Sequence, residues 1–301
     1  MNAFMRLCKS RQAVIGITMI AVVVLLAVFA PLLAPNDPNR VNISKRFAEP
    51  GGEFPLGADH LGRCELSRLI FGARTSLGIA SAILVLIAAV SIVLGMLFSY
   101  YGGIADRIFS GICDVLMAFP PMVFILAFAG AMGPGVRNII ISVVLANWVW
   151  YARVVRSYVM LEKNKEYILS ARAAGSSDFR IMARHIMPNI MPPLLVFFSL
   201  GIGDSVLMIS GFSFLGIGVD PSVAEWGTMI SNARSVIYTQ PQLMFYPGLC
   251  IFFTICGFNI FGEALRDVLS LEELGGEFEY GKTRFKCQRL INWIKRRKTA
   301  C

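Results

Sequence analysis

The eight residues Gly276 to Thr283, "GEFEYGKT", fit G-x-x-x-x-G-K-[ST], the spacing with which a loop's backbone N–H groups wrap nucleotide phosphates while a lysine reaches the outer ones. That chemistry needs a strand to deliver the loop and a helix N-terminus behind it. Here the preceding "RDVLSLEELGG" reads as a helix end, and Glu277 and Glu279 would put negative charge into a cradle built for anions. Only eighteen residues follow Thr283, too few for a sheet, a Mg²⁺-binding aspartate and a nucleotide pocket. ATP hydrolysis is therefore not assigned to this chain. A second group able to do chemistry is Asp204, a carboxylate inside a long apolar run, where its cost demands a polar cavity or a partner. Met208, Met229 and Met244 carry thioethers soft enough for a transition metal, although methionine more often fills gaps in apolar packing. His60 and His185 are the two histidines, and the seven cysteines are scattered without a C-x-x-C. Neither a zinc site nor a disulfide framework nor a tight metal cage is signalled, and no catalytic residue, cofactor or metal ligand is assigned.

The elements that must position these groups are set by composition. Of 301 residues 56% are apolar and 16% charged, with mean hydropathy +0.65, which excludes an ordinary soluble domain. The net charge of +9 gathers beside apolar spans and in the last twenty residues, as membrane orientation requires, rather than as a nucleic-acid surface. Ala13 to Ala34 is uncharged over 22 residues, about 33 Å of helix, enough to cross a ~30 Å core and longer than a signal peptide's apolar region. Further uncharged stretches run from Thr75 to Ala105, Val115 to Val136, Asn138 to Ala152, Ile186 to Gly203 and Ser235 to Gly262. The fifth continues through Asp204 to about Val219. The expectation is an all-α integral membrane protein of six transmembrane helices.

Residues 153–185 carry seven Lys/Arg against three acids, whereas 220–234 carry one against two. The positive-inside rule then places both termini and the 160–188 connection in the cytoplasm. The chain divides into an N-terminal segment and helix (1–34), a proline-rich external loop (35–74), a core of five helices (75–267) and a basic cytoplasmic tail (268–301). Within the 160–188 connection, Glu166 to Ala174 is rich in helix formers, Gly175 suits a helix C-cap, Ser176 or Ser177 suits the next N-cap, and Pro188 marks entry into the next span. A helix–turn–helix follows. By physics alone it is either a solvated connector or a rigid docking element for a soluble partner.

The spacing Ala171-x-x-x-Gly175, with Pro188 thirteen residues on, resembles the coupling loop of ABC importer permeases. "LGADHLGRCELSRLIFGARTSLG" (56–78), "YYGGIADRIFSGICDVLMAFPP" (100–121), "FSFLGIGV" (212–219), "EWG" (225–227) and "NIFGEALRD" (259–267) resemble the dipeptide/oligopeptide/nickel branch of that family. The resemblance implies the type I importer permease fold with one extra N-terminal helix, in a bacterial inner membrane. It implies a non-catalytic subunit paired with a homologous permease, two ATPases carrying ATP and Mg²⁺, and an extracytoplasmic substrate-binding protein. It implies that Glu166, Ala171, Ala174, Gly175, Asp178, Arg184 and Pro188 couple the chain to an ATPase. Departures are Leu169 and Ser170 at the motif's first positions, Cys64 in place of an aspartate, and Ser110-Gly111 in place of Met-Arg.

Within the branch, "NWVWYARVVRS" (147–157) and "WGTMISNARSVIYTQPQLMFYPG" (226–248) resemble nickel-type members more than dipeptide-type ones. Asp204 and Met208 are expected along a translocation pathway, with a hydrogen-bonded role for Asp204 at the permease–permease seam as the alternative. A metal would cross as a chelate or through a low-affinity cavity. The alternatives are peptide import by the same machinery, or a stand-alone secondary transporter, for which Asp204 is the sole support. His185 reads as a helix-end contact. In the tail, Cys287, Leu290, Ile291 and Ile294 share one helical face with basic residues largely elsewhere, which predicts a helix lying on the anionic leaflet, a disordered basic tail or an ATPase contact.

Overall fold

The computed structural model describes residues 7, 10–133 and 135–269. The "GEFEYGKT" motif and the amphipathic tail lie outside them. Among the described residues the regular elements are helical: α1 (Arg11–Val28), α2 (Glu65–Tyr101), α3 (Gly103–Met117), α4 (Pro121–Met132), α5 (Val136–Glu162), α6 (Glu166–Ala173), α7 (Asp178–Phe214), α8 (Trp226–Ala233) and α9 (Gln242–Leu269). Helices α1, α2, α5, α7 and α9 are each long and apolar enough to cross a bilayer. Only backbone bonds closed within the segment satisfy N–H and C=O groups there, so the apolar runs become helices.

The third predicted span needs correction. Val115 to Val136 is not one helix: α3 ends at Met117, and α4 leaves it at an angle of 82°. Pro120 and Pro121 supply no N–H to continue α3, and the residue before each proline is forced out of the helical region. In place of a sixth long helix there is therefore a bent pair of shorter ones. The expected external loop also ends ten residues early, because α2 starts at Glu65 rather than near Thr75. Its charged first turn is buried against the loop: the Asp59 carboxylate accepts from Arg63 Nε at 2.7 Å, and the Arg68 guanidinium donates to the carbonyls of Pro38, Ser222 and Val223 at 3.1–3.3 Å.

The main core lies where α2, α5, α7 and α9 meet, around Ile83, Ile139, Val143, Val206, Ile209 and Phe212. Helices α2 and α5 pack closely along each other. Gly95 permits it, since a Cβ there would lie 2.8 Å from the Ala152 carbonyl oxygen. At one end of this bundle a second core gathers Tyr100, Val155, Val159, Ile168, Ile181, Ile186 and Ile190, tying α6 and the start of α7 to α2 and α5. At the other end Glu225 is fully buried. Its carboxylate caps α8 through the N–H groups of Gly227 and Thr228 and accepts from Ser76 and Ser210 Oγ.

Candidate functional site

Two features stand out, a helix–turn–helix at one end of the bundle and a cavity within its membrane-crossing part. The first follows from local sequence. Helix α6 ends at Ala173, and Gly175 follows at φ = +80° with its N–H donating to Arg172 O at 3.0 Å. Ser176 N–H donates to Ala171 O at 3.1 Å, which completes the two-bond closure that glycine permits at a helix end. Ser177 opens α7 in extended geometry, without a side-chain bond from its own hydroxyl. Pro188 lies at the entry into the membrane-crossing part of α7, as its position in the sequence suggested. Helix α7 runs on through a π turn, Met182–Ile186, and Pro188 sits just beyond it. A wide turn absorbs the missing proline N–H and the crowding of its ring against the preceding turn.

Two isoleucines with no exposed surface, Ile168 and Ile181, pin both arms of this element to the bundle. Polar bonds fix its orientation. Tyr100, at the end of α2, donates to Asp178 Oδ1 at 2.6 Å, and Arg172 donates to the Tyr100 hydroxyl oxygen at 3.2 Å. Lys163 donates to Ser99 O at 2.6 Å. The Tyr167 hydroxyl donates to Glu162 and accepts from Asn189 Nδ2, and burial beside that carboxylate pushes the phenol up to about 12. His185 lies at the helix junction with its ring 6.4 Å from Tyr167.

Glu166, Ala174, Gly175, Arg184 and Pro188 are exposed, Ala171 is half-buried, and Asp178 is exposed but engaged by Tyr100. Leu169 and Phe179 also face outward, Phe179 with 77% of its surface uncovered. Most of the expected coupling residues are thus exposed. The spacing rules did not find Tyr100, although its place as a polar-tipped aromatic at the end of an apolar run was a usable signal.

The second feature is a cavity of about 590 Å³ between α2, α4, α5 and α7. Asp204 and Met208, four residues apart and so on one helix face, both line it. Asn147 and Tyr151 line it from α5 at the same spacing, with Trp150 beside them and Met122 from α4. Asn147 Nδ2 donates to Val143 O at 2.9 Å and lies 3.7 Å from the Met208 sulfur. Among the described residues no hydrogen bond or ion pair engages the Asp204 carboxylate. The wall is mostly apolar with few polar groups, the make-up common to small-molecule pockets. Met229 belongs to the core and Met244 is half-buried outside the cavity. Among the described residues no three His, Cys, Asp or Glu side chains are grouped to hold a metal ion.

Residues 71–271 match the model of the binding-protein-dependent transport system inner membrane component, and residues 1–50 match the N-terminal transmembrane domain of oligopeptide transport permease C. The chain is 38% identical over 270 residues to the nickel transport system permease protein of Escherichia coli K12, covering 89% of this chain and 96% of that one. It is 38% identical over 261 residues to the metal-staphylopine import system permease protein of Staphylococcus aureus NCTC 8325, covering 87% and 90%. A dipeptide transport system permease protein of Alkalihalophilus pseudofirmus is 34% identical over 268 residues, covering 89% and 88%. Among solved structures, the inward-facing MetNI methionine ABC transporter superposes with a TM-score of 0.55 at 15% identity, over 67% of this chain and 97% of that one, a likeness of fold. With its apolar helices and an additional helix before the core, this chain belongs to the inner-membrane permease family of binding-protein-dependent ABC importers, in the branch that contains nickel, peptide and metal-chelate permeases.

Proposed function

We propose that this chain is one half of a permease pair importing nickel or a small metal chelate, driven by ATPases on separate chains. Supporting the cargo is one observation: the cavity holds an unengaged carboxylate, Asp204, with Asn147 and the Met208 thioether beside it. A carboxylate kept in an apolar setting without a counter-charge favours a cationic solute. The donor set is too sparse for tight chelation, which suits transit. A dipeptide offers an ammonium that would satisfy Asp204 equally, and it is the second reading.

In this reading the Glu166–Arg184 element, with Gly175 as its turn and Pro188 beyond it, docks into an ATPase that binds ATP and Mg²⁺. Its exposed Leu169 and Phe179 supply the apolar contact. Closure of the two ATPases pushes the element, and the spans rock between inward-open and outward-open states. The element and both termini then face the cytoplasm, and an extracytoplasmic binding protein delivers cargo to the opposite end. Family membership favours this over a stand-alone secondary transporter.

The test is uptake of radiolabelled nickel and, in parallel, of a labelled dipeptide, in cells lacking the gene and in the same cells complemented with it. Nickel uptake restored only by the intact chain supports the proposal. Restored dipeptide uptake with nickel unchanged would keep the importer and discard the metal cargo.

A further inference from the structure

Helix α3 is sided in a way the importer reading does not use. Phe109 and Cys113 are buried on one edge, where Phe109 stacks on Phe98 at 4.8 Å and approaches Trp148 at 6.3 Å. Asp106, Arg107, Ser110 and Asp114 occupy the adjacent edge. Opposite them Ile104, Ile108, Ile112 and Val115 form an i, i+4, i+8, i+11 stripe, exposed by 73, 59, 50 and 63%. Such a segregated helix lies along an interface, whereas a spanning helix is apolar all round.

Two ion pairs set its level and direction. Asp106 pairs bidentately with Arg156 at 2.7 Å, and Asp114 with Arg153 at 2.8 Å. These arginines lie about 30 Å and about 26 Å along α5 from its start, at ~1.5 Å per residue, roughly one hydrocarbon thickness. From Asp106 to Asp114 α3 advances about 12 Å, while its partners on α5 are only about 4.5 Å apart. Helix α3 therefore runs across α5 rather than along it. The 82° bend then turns the chain into α4, whose twelve residues cover about 18 Å, short of a full crossing by itself.

We propose that α3 is an in-plane helix embedded in the bilayer leaflet on the coupling-element side, its isoleucine stripe covered by lipid acyl chains and Arg107 at headgroup level. The depth of the Asp106–Arg156 pair and the position of the stripe on the face opposite the charged edge select acyl chains as the occupant. Exposed Arg107, with half-exposed Arg153 behind Asp114, adds positive charge where an anionic headgroup would sit. Assignment to the cytoplasmic leaflet rests on the orientation proposed above, but burial of the stripe in lipid does not.

The experiment uses the full chain, purified with the chains it assembles with and reconstituted in phosphatidylethanolamine–phosphatidylglycerol vesicles. Single cysteines replace Ile108, Ile112 or Arg107 in a background whose reactive native cysteines are serine, and each carries an environment-sensitive fluorophore. Lipids brominated near the glycerol end of the acyl chain, present in both leaflets, report lipid contact, and iodide reports water. The expected result is strong bromolipid quenching, at least about twofold, at positions 108 and 112 with little effect of iodide, and the reverse at position 107. Resistance of both stripe positions to both quenchers would mean that the partner permease covers them and would overturn the proposal. Iodide quenching of the stripe would also overturn it, by placing that face in water. Because bromine is in both leaflets, neither outcome depends on the sidedness of the chain or on its cargo.

Discussion

The Tyr100 hydroxyl donates to the Asp178 carboxylate at 2.6 Å, joining residues 78 positions apart and fastening the helix–turn–helix to the end of α2. The same oxygen accepts from Arg172, whose guanidinium also lies over the Tyr100 ring at 5.6 Å. One aromatic residue thus holds both arms of the helix–turn–helix. Tyr100→Phe keeps the packing and removes both bonds, at about 1–2 kcal/mol of local stability. Expected is an importer that assembles and hydrolyses ATP while transporting less cargo per ATP, measured by paired ATPase and uptake assays in proteoliposomes. Unchanged coupling would show that Ile168 and Ile181 suffice to orient the element.

Gly175 adopts φ = +80°, and nothing lies within 4 Å of where a Cβ would stand. A substitution there meets backbone strain and no clash. Gly175→Val should cost on the order of 1 kcal/mol or more and uncouple ATPase activity from transport without preventing membrane insertion. Gly175→Asn, a residue that tolerates the left-handed region, should retain most transport. Normal uptake by the valine variant would remove the rigid turn from the mechanism.

For Asp204, the charge itself is the expected requirement. Asp204→Asn preserves shape and hydrogen bonding but removes the charge, and uptake of a cationic cargo should fall about tenfold or more. The alternative role, a hydrogen bond at the permease–permease seam, predicts that asparagine works and alanine does not. Comparing the two variants at equal membrane abundance separates these roles.

Glu225 accepts four hydrogen bonds with no exposed surface. Glu225→Gln replaces one acceptor oxygen by an NH₂ group that must face a donor, at about 2–3 kcal/mol. Thermal unfolding in detergent should move down by several degrees, with α8 the first region to gain hydrogen exchange.

His60 sits in the loop before α2, where burial lowers its pKa against the raising influence of Asp59 and with further lowering from Arg63, Arg68 and Arg46. A lowered folded value means that the unfolded chain takes the proton first. Its contribution to stability is present above the unfolded value of 6.5 and is lost as pH falls through the folded value. The melting temperature of the intact chain should therefore drop more steeply between pH 7.5 and 5.5 than that of His60→Asn, which carries no such proton.

Apolar run length alone determined that this chain is a helical membrane protein, because an unsatisfied backbone is prohibitively costly in hydrocarbon. Order and spacing of a few local signals likewise located the helix–turn–helix: a run of helix formers, a glycine needing positive φ and a serine opening the next helix are all short-range chemistry. The same local logic failed at 115–136, where apolarity is continuous but two prolines break the axis, and hydropathy has no term for direction. It failed again at Glu65–Arg74, since a charged first turn looks like loop until Asp59 and three carbonyls from distant segments are brought around Arg63 and Arg68. Asp204 was legible as a costly carboxylate, yet its companions Asn147 and Tyr151 stand more than fifty positions earlier and meet it only through the crossing of α5 and α7. Tyr100 became a fastening point for the same reason. Pairing between helices depends on which faces pack, and that is settled by the sum of many small contacts across the whole bundle rather than by any neighbouring residue.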